Sequence, residues 1–374
     1  MEQRRKNLTQ LFIPICLETL LYMLSGMVDT LMLSSVNDQA VGAVGTANTY
    51  IGIFIIMFSV ISSGMVAVMT QNIGAGRPGV AYQARQLGLA FNAVLGVIMS
   101  LFLSLGAGTI LSGVGVADAL MQPAKTYLQI VGGFCILNAL IPICSSYLRA
   151  FGFSKEPLYA SIIGNVINFC LNAFFLFVLH KGVAGVATAT VISRIINLVI
   201  VVLLGAVLVK AKQHPERESN RAVMGQIIRI GLPSACETAI YNVSMTLVIR
   251  FLNQMDAQGL NVTARSYTMQ ITNFSYCVGA ALAQANAIMT GWHIGAKEYD
   301  ACDRGTKKAA VIGVIVAVIL ETVFTLCSGW IMQLFSKDPQ MVSLVGKLLA
   351  IDIVLEIGRV TLSLIHISEP TRPY

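Results

Sequence analysis

Pro14–Thr30, PICLETLLYMLSGMVDT, is apolar over the length of a membrane span, yet it carries several polar side chains. Four of them share one helical face, because they are spaced four, three and four residues apart: Glu18, Tyr22, Ser25 and Asp29. A carboxylate inside a bilayer is costly, so it normally faces a bundle interior or a wet cavity and marks a functional path. The segment therefore predicts a spanning helix with an ionisable functional face.

The same pattern returns 219 positions later in the chain. The second copy matches the first at five positions: Pro233, Glu237, Thr238, Tyr241 and Ser244. Asp29 has no acidic counterpart, because Val248 stands at its position. A second echo links the turn IGAG at 73–76 with IGAK at 294–297. We therefore expect a duplicated membrane protein whose halves have diverged at one ionisable position.

The composition indicates a polytopic membrane protein. Of the 374 residues, 56% are hydrophobic and 11% are charged, whereas soluble domains carry roughly 25% charged residues. The net charge of +7 comes from basic residues spread over short loops, without interleaved aromatic residues, so no nucleic-acid partner is expected. The eight cysteines form no CxxC pair and the four histidines show no ligand spacing. We therefore expect no resident metal, no disulfide framework and no cofactor.

About ten spans are predicted, each near the roughly 20 residues that a bilayer core requires. Their expected ranges are 8–33, 43–70, 86–111, 124–149, 156–179, 184–209, 223–250, 262–290, 306–333 and 340–362. Basic residues concentrate on the side of the N-terminus, beginning with Arg4 and Arg5. This bias predicts a cytoplasmic N-terminus followed by an uncleaved first span.

The repeat predicts the domain organisation of an all-α polytopic membrane protein. Six spans per half is an even number, so two six-helix bundles would share one orientation, related by a pseudo-two-fold axis along the membrane normal. We expect an N-terminal lobe at 1–209, a cytoplasmic linker at 210–222 and a partial C-terminal lobe at 223–361, with about four of its six spans. The tail at 362–374 contains LSLIHISEPTR, which resembles a translated sequencing adaptor, and we expect it to be non-native.

Five segments carry a resemblance to a known family. They are PxxxE with MVDTLML at 14–33, QNIGAG at 71–76, SSYLRAFG at 145–152, GNVINFCLN at 164–172 and LPSACE at 232–237. In this order and spacing the chain resembles the MATE family (multidrug and toxic compound extrusion), whose superfamily includes lipid-linked oligosaccharide flippases. The resemblance implies a twelve-span fold of two bundles forming a V around a central cavity. It also implies export of amphipathic organic cations in exchange for protons or sodium by alternating access.

The resemblance further implies a cation site in the N-terminal lobe. The matching positions are Asp29 in the first span and Asn168 and Asn172, four residues apart, in the fifth. Many relatives carry aspartate at the place of Asn172, so this chain has one carboxylate there rather than two. Transient sodium binding at Asp29 is one reading and protonation of Asp29 is the other. The family also implies a monomer in the bacterial cytoplasmic membrane.

Other intramembrane polar residues have both a functional and a structural interpretation. Because Glu18 and Glu237 occupy equivalent repeat positions, we expect a gating or scaffold role for both. Five further residues are candidates for the cavity or for gating: Tyr22, Tyr241, Gln270, Asn273 and Arg194. Core packing is the alternative for the two tyrosines. A mid-span arginine needs an acidic partner, and Asp29 is one candidate for Arg194.

The tenth predicted span carries two acids on one face, Asp352 and Glu356. Some MATE relatives have an acidic cation-site residue in this span. Pairing of Glu356 with Arg359, three residues further on, is the structural alternative.

Three functions compete at this point. The leading one is a cation-coupled exporter of organic cations. A lipid or oligosaccharide flippase of the same superfamily would need a strongly basic cavity to hold a diphosphate, and Arg194 is the clearest basic residue inside a predicted span. An intramembrane enzyme would need a clustered nucleophile or an acid–base pair, and the sequence contains no HExxH, GxSxG or Walker motif.

Overall fold

The computed structural model describes residues 6–34, 38–113, 116, 118–210, 215–255, 260–333 and 338–368. Three predictions lie wholly or partly outside these ranges: the basic residues Arg4 and Arg5, positions 211–214 of the expected linker and positions 369–374 of the expected tail.

The regular secondary structure of the described residues is entirely helical, as predicted. The helices are α1 (Leu8–Ser34), α2 (Asp38–Gly74), α3 (Pro78–Gly113), α4 (Asp118–Tyr127), α5 (Ile136–Ala150), α6 (Lys155–Ala173), α7 (Gly182–Leu208), α8 (Asn220–Met255), α9 (Leu260–Gly295), α10 (Tyr299–Leu326), α11 (Ser328–Met332) and α12 (Pro339–Ser368). Two short π-helical segments, Leu128–Gly132 and Phe174–Val178, follow α4 and α6. Each predicted span falls on one helix or on two or three consecutive helical segments.

In the part of the chain that the structure describes, six helices are long and apolar enough to cross a membrane: α1, α2, α3, α6 with its π-helical extension, α7 and α10. Asp118–Gly132 and Ile136–Ala150 are bent by 42° and make a seventh if they form one span. The number obtained from length and composition in the described ranges is thus lower than the ten we predicted. The long helices α8, α9 and α12 are more polar, with charged or amide side chains along much of their length.

The helices present apolar side chains on their outer surface. Leu105 on α3 is 83% exposed and Val207 on α7 is 72% exposed. Single exposed apolar residues are ordinary on soluble proteins, but rows of them on long apolar helices are typical of a surface that meets lipid. The chain is therefore a multi-pass membrane protein.

Contacts divide the chain into two compact units. The first unit contains Met1–Lys6 and Leu21–Ala235, and the second contains Asn7–Leu20 and Cys236–Tyr374. Helices α1 and α8 therefore each contribute to both units. Both helices contain a proline of the repeated pattern, Pro14 and Pro233 respectively.

The first unit has a continuous apolar core between α2, α3, α4, α5 and α7, with Phe58, Leu103 and Leu128 almost fully buried. The beginning of α8 packs into this unit through Val223 and Ile227, both 0% exposed. Gly64 on α2 permits the approach, because a Cβ there would collide with the carbonyl oxygen of Ile227.

An ion pair and several hydrogen bonds connect the polar segment before α8 to residues at the beginning of α3. Arg77 pairs with Glu218 at 2.5 Å, and the Gly79 amide donates to a carboxylate oxygen of Glu216 at 3.3 Å. The Gln83 side chain donates to the Glu218 carbonyl at 2.7 Å and accepts from the Glu218 amide at 3.1 Å. An acid near a helix N-terminus is favourable, so the sequence of this segment matches its position.

The second unit packs around α9, α10 and α12. The first turns of α1 join it, with Leu8 and Phe12 against a core that includes Leu282, Ala309 and Val360. This packing explains why Asn7–Leu20 belongs to the second unit.

The repeated turns have the same backbone conformation. After α2, Gly76 has φ +74° and the Arg77 amide donates to the Asn72 carbonyl at 2.8 Å. After α9, Lys297 has φ +62° and the Glu298 amide donates to the His293 carbonyl, also at 2.8 Å. Both helices thus end in a left-handed residue with a six-to-one hydrogen bond, which is the Schellman arrangement. The predicted correspondence between the two turns is confirmed at the backbone level.

Candidate functional site

The first unit contains a polar cluster around Asp29. The Asn172 side-chain amide donates from Nδ2 to Asp29 Oδ1 at 2.6 Å and to Asn168 Oδ1 at 3.2 Å. Asn172 is fully buried and Asn168 is 5% exposed, while Asp29 is half-buried. The structure therefore brings together the three residues that the sequence predicted for a cation site.

Helix α6 lies alongside α1 at this cluster. Asn165 Nδ2 donates to the Leu21 carbonyl at 3.4 Å, two turns before the contact between Asn172 and Asp29. Directly after Asn172 the helix widens into the π-helical segment Phe174–Val178. Such segments are frequent at functional sites.

Two further side chains belong to the electrostatic environment of Asp29. Arg194 on α7 interacts electrostatically with Asp29 and with Tyr127 at the end of α4. Asn48 and Tyr22 lie near the Tyr127 hydroxyl. Arg194 and Asp29 are near enough to interact electrostatically, but a direct pairing of the two side chains stays a prediction.

The other residues predicted for the cavity or for gating lie elsewhere. Glu18 falls in the part of α1 that belongs to the second unit, so it does not join the Asp29 cluster. Glu237, Tyr241, Gln270 and Asn273 are also in the second unit and are exposed on the isolated chain. The structure places Tyr22 at the edge of the first-unit cluster with 62% of its surface exposed.

A second acidic cluster lies in the second unit. Glu321 on α10 and Asp352 and Glu356 on α12 have carboxylate oxygens that all lie within 4.8 Å of one another. The three residues are 0%, 8% and 1% exposed, respectively. We call these residues the acidic triad. Like charges at this spacing in a buried site repel strongly, so the triad favours uptake of a proton or another cation.

One arginine partly balances the acidic triad. Arg359 Nη1 lies 2.9 Å from Glu356 Oε2, which confirms the predicted pairing. Its guanidinium also lies 5.9 Å from the centre of the Tyr276 ring. Within the described chain Glu321 and Asp352 form no ion pair, although Arg359 interacts with both electrostatically. With all three acids ionised, the triad and Arg359 together would carry two net negative charges.

Glu321 is the functional candidate that the sequence analysis missed. It is the single acid in the apolar run VIGVIVAVILETVF. The rule that an acid inside a membrane span is a functional candidate, which we applied to Asp29, therefore applies to Glu321 as well. Its contact with Asp352 and Glu356 could not be predicted from the sequence, because these two acids lie on another helix. The Ser275 side chain of α9, 1% exposed, also lies beside Glu321.

Long, apolar, bundled helices that enclose carboxylates are typical of membrane transporters and not of soluble proteins. The MatE family model matches residues 14–174 and 233–366. These two copies are separated by α7, the segment before α8 and the first turns of α8. The chain therefore belongs to the MatE family of transporters.

Sequence similarity to known proteins covers most of the chain. The "Uncharacterized transporter YisQ" of Bacillus subtilis is 32% identical over 352 residues, covering 92% of this chain and 77% of that protein. The "Probable multidrug resistance protein NorM" of Thermotoga maritima is 23% identical over 354 residues, covering 91% of this chain and 74% of that protein.

Solved structures share the fold. A crystal structure of a MATE protein in its bent conformation superposes with a TM-score of 0.86 at 18% identity and covers 97% of this chain and 82% of that chain. A multidrug resistance MATE transporter in an outward-facing conformation gives a TM-score of 0.86 at 17% identity, with 97% and 83% coverage.

Proposed function

We propose that this chain is a cation-coupled antiporter that exports amphipathic organic cations by alternating access. The observation that carries the proposal is the contact of Asn172 with Asp29 at 2.6 Å inside a membrane-spanning helix pair. An ionised Asp29 is stabilised by this hydrogen bond. A cation or proton that binds to Asp29 neutralises its charge. The hydrogen bond from the Asn172 amide is then weaker, and so is the contact that it makes between α1 and α6.

The proposed coupling follows from differential binding. A ligand shifts a conformational equilibrium only by its difference in affinity for the two states. Asp29 is bonded to α6 in the described arrangement, so the cation would favour an arrangement in which this bond is broken. The organic substrate, also positively charged, would bind in the opposite arrangement and be released outside.

The acidic triad is a second coupling site in this proposal. Three buried carboxylates beside a single arginine favour at least one added proton or cation. Each unit would then hold one site, Asp29 in the first and the triad in the second.

Two observations favour organic cations over the diphosphate of a flippase substrate. The arginine of the second-unit cluster is already engaged with an acid, because Arg359 pairs with Glu356. In addition, several relatives are named as multidrug resistance proteins. The family and its bacterial relatives support a monomer in a bacterial cytoplasmic membrane, and the distribution of basic residues supports a cytoplasmic N-terminus.

The test is efflux of a fluorescent organic cation such as ethidium from proteoliposomes. The wild type, Asp29→Asn and the matched control Asp118→Asn, an exposed acid at the start of α4, would be compared at equal protein content. We expect the control to match the wild type and Asp29→Asn to slow efflux at least about tenfold. Equal efflux by wild type and Asp29→Asn, or no efflux by the wild type, would contradict the proposal.

A further inference from the structure

A groove of about 630 Å³ lies in the first unit, where the polar segment before α8 meets the beginning of α3. Its lining is polar where the segment and the first turns of α3 contribute Arg217, Asn220 and Gln86. It is apolar further along α3, where Leu87 and Ala90 contribute. A ligand that fills the groove therefore needs both a polar and an apolar part.

Hydrogen bonds fix the backbone that carries Arg217. The Gln83 side chain accepts from the Glu218 amide at 3.1 Å and donates to the Glu218 carbonyl at 2.7 Å. It also donates to the Asn220 side-chain oxygen at 2.5 Å. The wall of the groove is thus ordered before a ligand arrives, and binding does not have to supply the cost of ordering it.

The polar part of the groove carries an excess of positive charge. Glu218, the acid in its lining, is paired with Arg77 at 2.5 Å. The guanidinium carbons of Arg217 and Arg85 lie 5.7 and 5.9 Å from the centre of the Tyr82 ring. Among the described residues, neither of these two guanidiniums has an acidic partner. A contact with an aromatic ring orients a guanidinium without neutralising it, so this part of the groove favours an anionic group.

An exposed apolar row on α3 continues from the apolar part of the groove. Its members follow Leu87 at spacings of four, three, four and three residues, which place them on one helical face, and each is at least 42% exposed: Phe91, Val94, Ile98 and Leu101. About ten residues of helix beyond Leu87 cover about 15 Å, which is half of the roughly 30 Å hydrocarbon core of a bilayer. The row therefore offers a continuous apolar surface to an acyl chain of one leaflet.

We propose that this groove binds an anionic phospholipid. The phosphate lies against Arg217, whose planar set of N–H donors suits phosphate oxygens. The side-chain amides of Gln86 and Asn220 serve the rest of the headgroup, and an acyl chain follows the row on α3. A zwitterionic lipid brings a positive group as well, so the positive excess selects an anionic headgroup. The site shares no residue with the Asp29 cluster or the acidic triad and does not depend on the proposed function.

Native mass spectrometry of the full chain in detergent tests the proposal with phosphatidylglycerol and phosphatidylcholine of identical acyl chains. We expect the wild type to bind phosphatidylglycerol at least about fivefold more tightly. Arg217→Gln should lose about fivefold in affinity for phosphatidylglycerol, which is the contribution of one arginine near a membrane surface. The matched control is Arg304→Gln, an equal change of charge at an exposed position of α10, and it should bind as the wild type does.

Two further arms test the apolar part of the groove. Ala90→Trp places a large side chain there without changing a charge, and it should weaken phosphatidylglycerol binding at least about fivefold. Glycerophosphoglycerol is the headgroup without acyl chains. It should not displace phosphatidylglycerol at equal concentration, because it lacks the apolar contribution of the chains.

Three results would overturn the proposal. The first is equal binding of the two phospholipids by the wild type. The second is wild-type affinity for phosphatidylglycerol in both Arg217→Gln and Ala90→Trp. The third is displacement of the lipid by glycerophosphoglycerol at equal concentration, which would assign the groove to a soluble phosphate ester instead. These measurements involve no transport step, so their outcome is separate from that of the efflux test.

Discussion

The Asn172 side-chain amide donates to the carboxylate of Asp29 at 2.6 Å, joining the end of α6 to the end of α1. The same nitrogen lies 3.2 Å from Asn168 Oδ1. One amide group therefore orients the only carboxylate of the described first-unit cluster. Among the described residues, the side-chain oxygen of Asn172 has no hydrogen-bond partner. A buried acceptor without a partner costs about 1–3 kcal/mol in this arrangement.

Replacing Asn172 with aspartate should change the coupling of transport. Two carboxylates at hydrogen-bond distance cannot both be ionised without a bridging proton or cation. We expect Asn172→Asp to make ethidium efflux depend on added sodium or on acidic pH more steeply than in the wild type. Efflux from proteoliposomes, measured over a series of sodium concentrations at fixed pH and over a series of pH values, checks this. Asn172→Ala is the control, because it removes the donor without adding charge. If efflux by Asn172→Asp depends on sodium and pH no more steeply than efflux by Asn172→Ala, this prediction is wrong.

Arg359 should stabilise the second unit through Glu356. Removing one partner of a buried ion pair costs about 3–5 kcal/mol, because the other charge stays buried alone. We expect Arg359→Gln to lower the thermal unfolding temperature, and the double variant Glu356→Gln/Arg359→Gln to regain most of the loss. Helical circular dichroism during heating in detergent provides the measurement. Additive losses in the double variant would show that the two side chains are not coupled.

Glu321 should make stability depend on pH. Raising the pH ionises further acids of the triad, and each ionisation adds a like charge within 4.8 Å of the others. The folded state is thus expected to lose stability as the pH rises above about 4, where the acids of the unfolded chain ionise. Glu321→Gln removes one of the three charges, so its unfolding temperature should fall less over the same interval. If the unfolding temperatures of the wild type and the variant fall equally with pH, the charge of Glu321 does not contribute to the repulsion within the acidic triad. Asp118→Asn, outside the triad, should leave the wild-type profile unchanged.

Much of this architecture could be predicted from the sequence because its signals are local. Apolar runs of fixed length, the repeated PxxxE pattern and the IGAG and IGAK turns each report on one helix or one turn. Asp29, Asn168 and Asn172 came from a resemblance that spans two helices, and they lie together in the structure. The acidic triad could not be predicted in this way, because Glu321 comes close to Asp352 and Glu356 only when α10 packs on α12. Sequence spacing within one helix carries no information on such a contact.

The division into units is another feature that periodicity could not supply. Helices α1 and α8 each belong to both units, whereas the hydropathy pattern shows only that each is one long segment. Polar residues on α8, α9 and α12 also reduce their hydropathy, so composition alone yields fewer spans than the ten predicted ranges.

Lys297 should carry a small conformational cost. Its φ of +62° matches the +74° of Gly76 in the equivalent turn, but a residue with a Cβ is disfavoured in this region. We expect Lys297→Gly to stabilise the protein by about 1 kcal/mol, or about 2 °C in unfolding temperature. Gly76→Ala, the matched change in the first turn, should destabilise it by a similar amount. A loss of stability in Lys297→Gly would mean that contacts of the lysine side chain outweigh the backbone term.

Antiport itself is tested most directly by the counter-movement of the coupling cation. Proteoliposomes with an entrapped pH indicator, and in parallel a sodium indicator, would receive an inward gradient of ethidium without any imposed cation gradient. The account predicts that ethidium entry drives protons or sodium outward, and that Asp29→Asn and protein-free liposomes show neither signal. Ethidium entry through the wild type with no movement of either cation would contradict it.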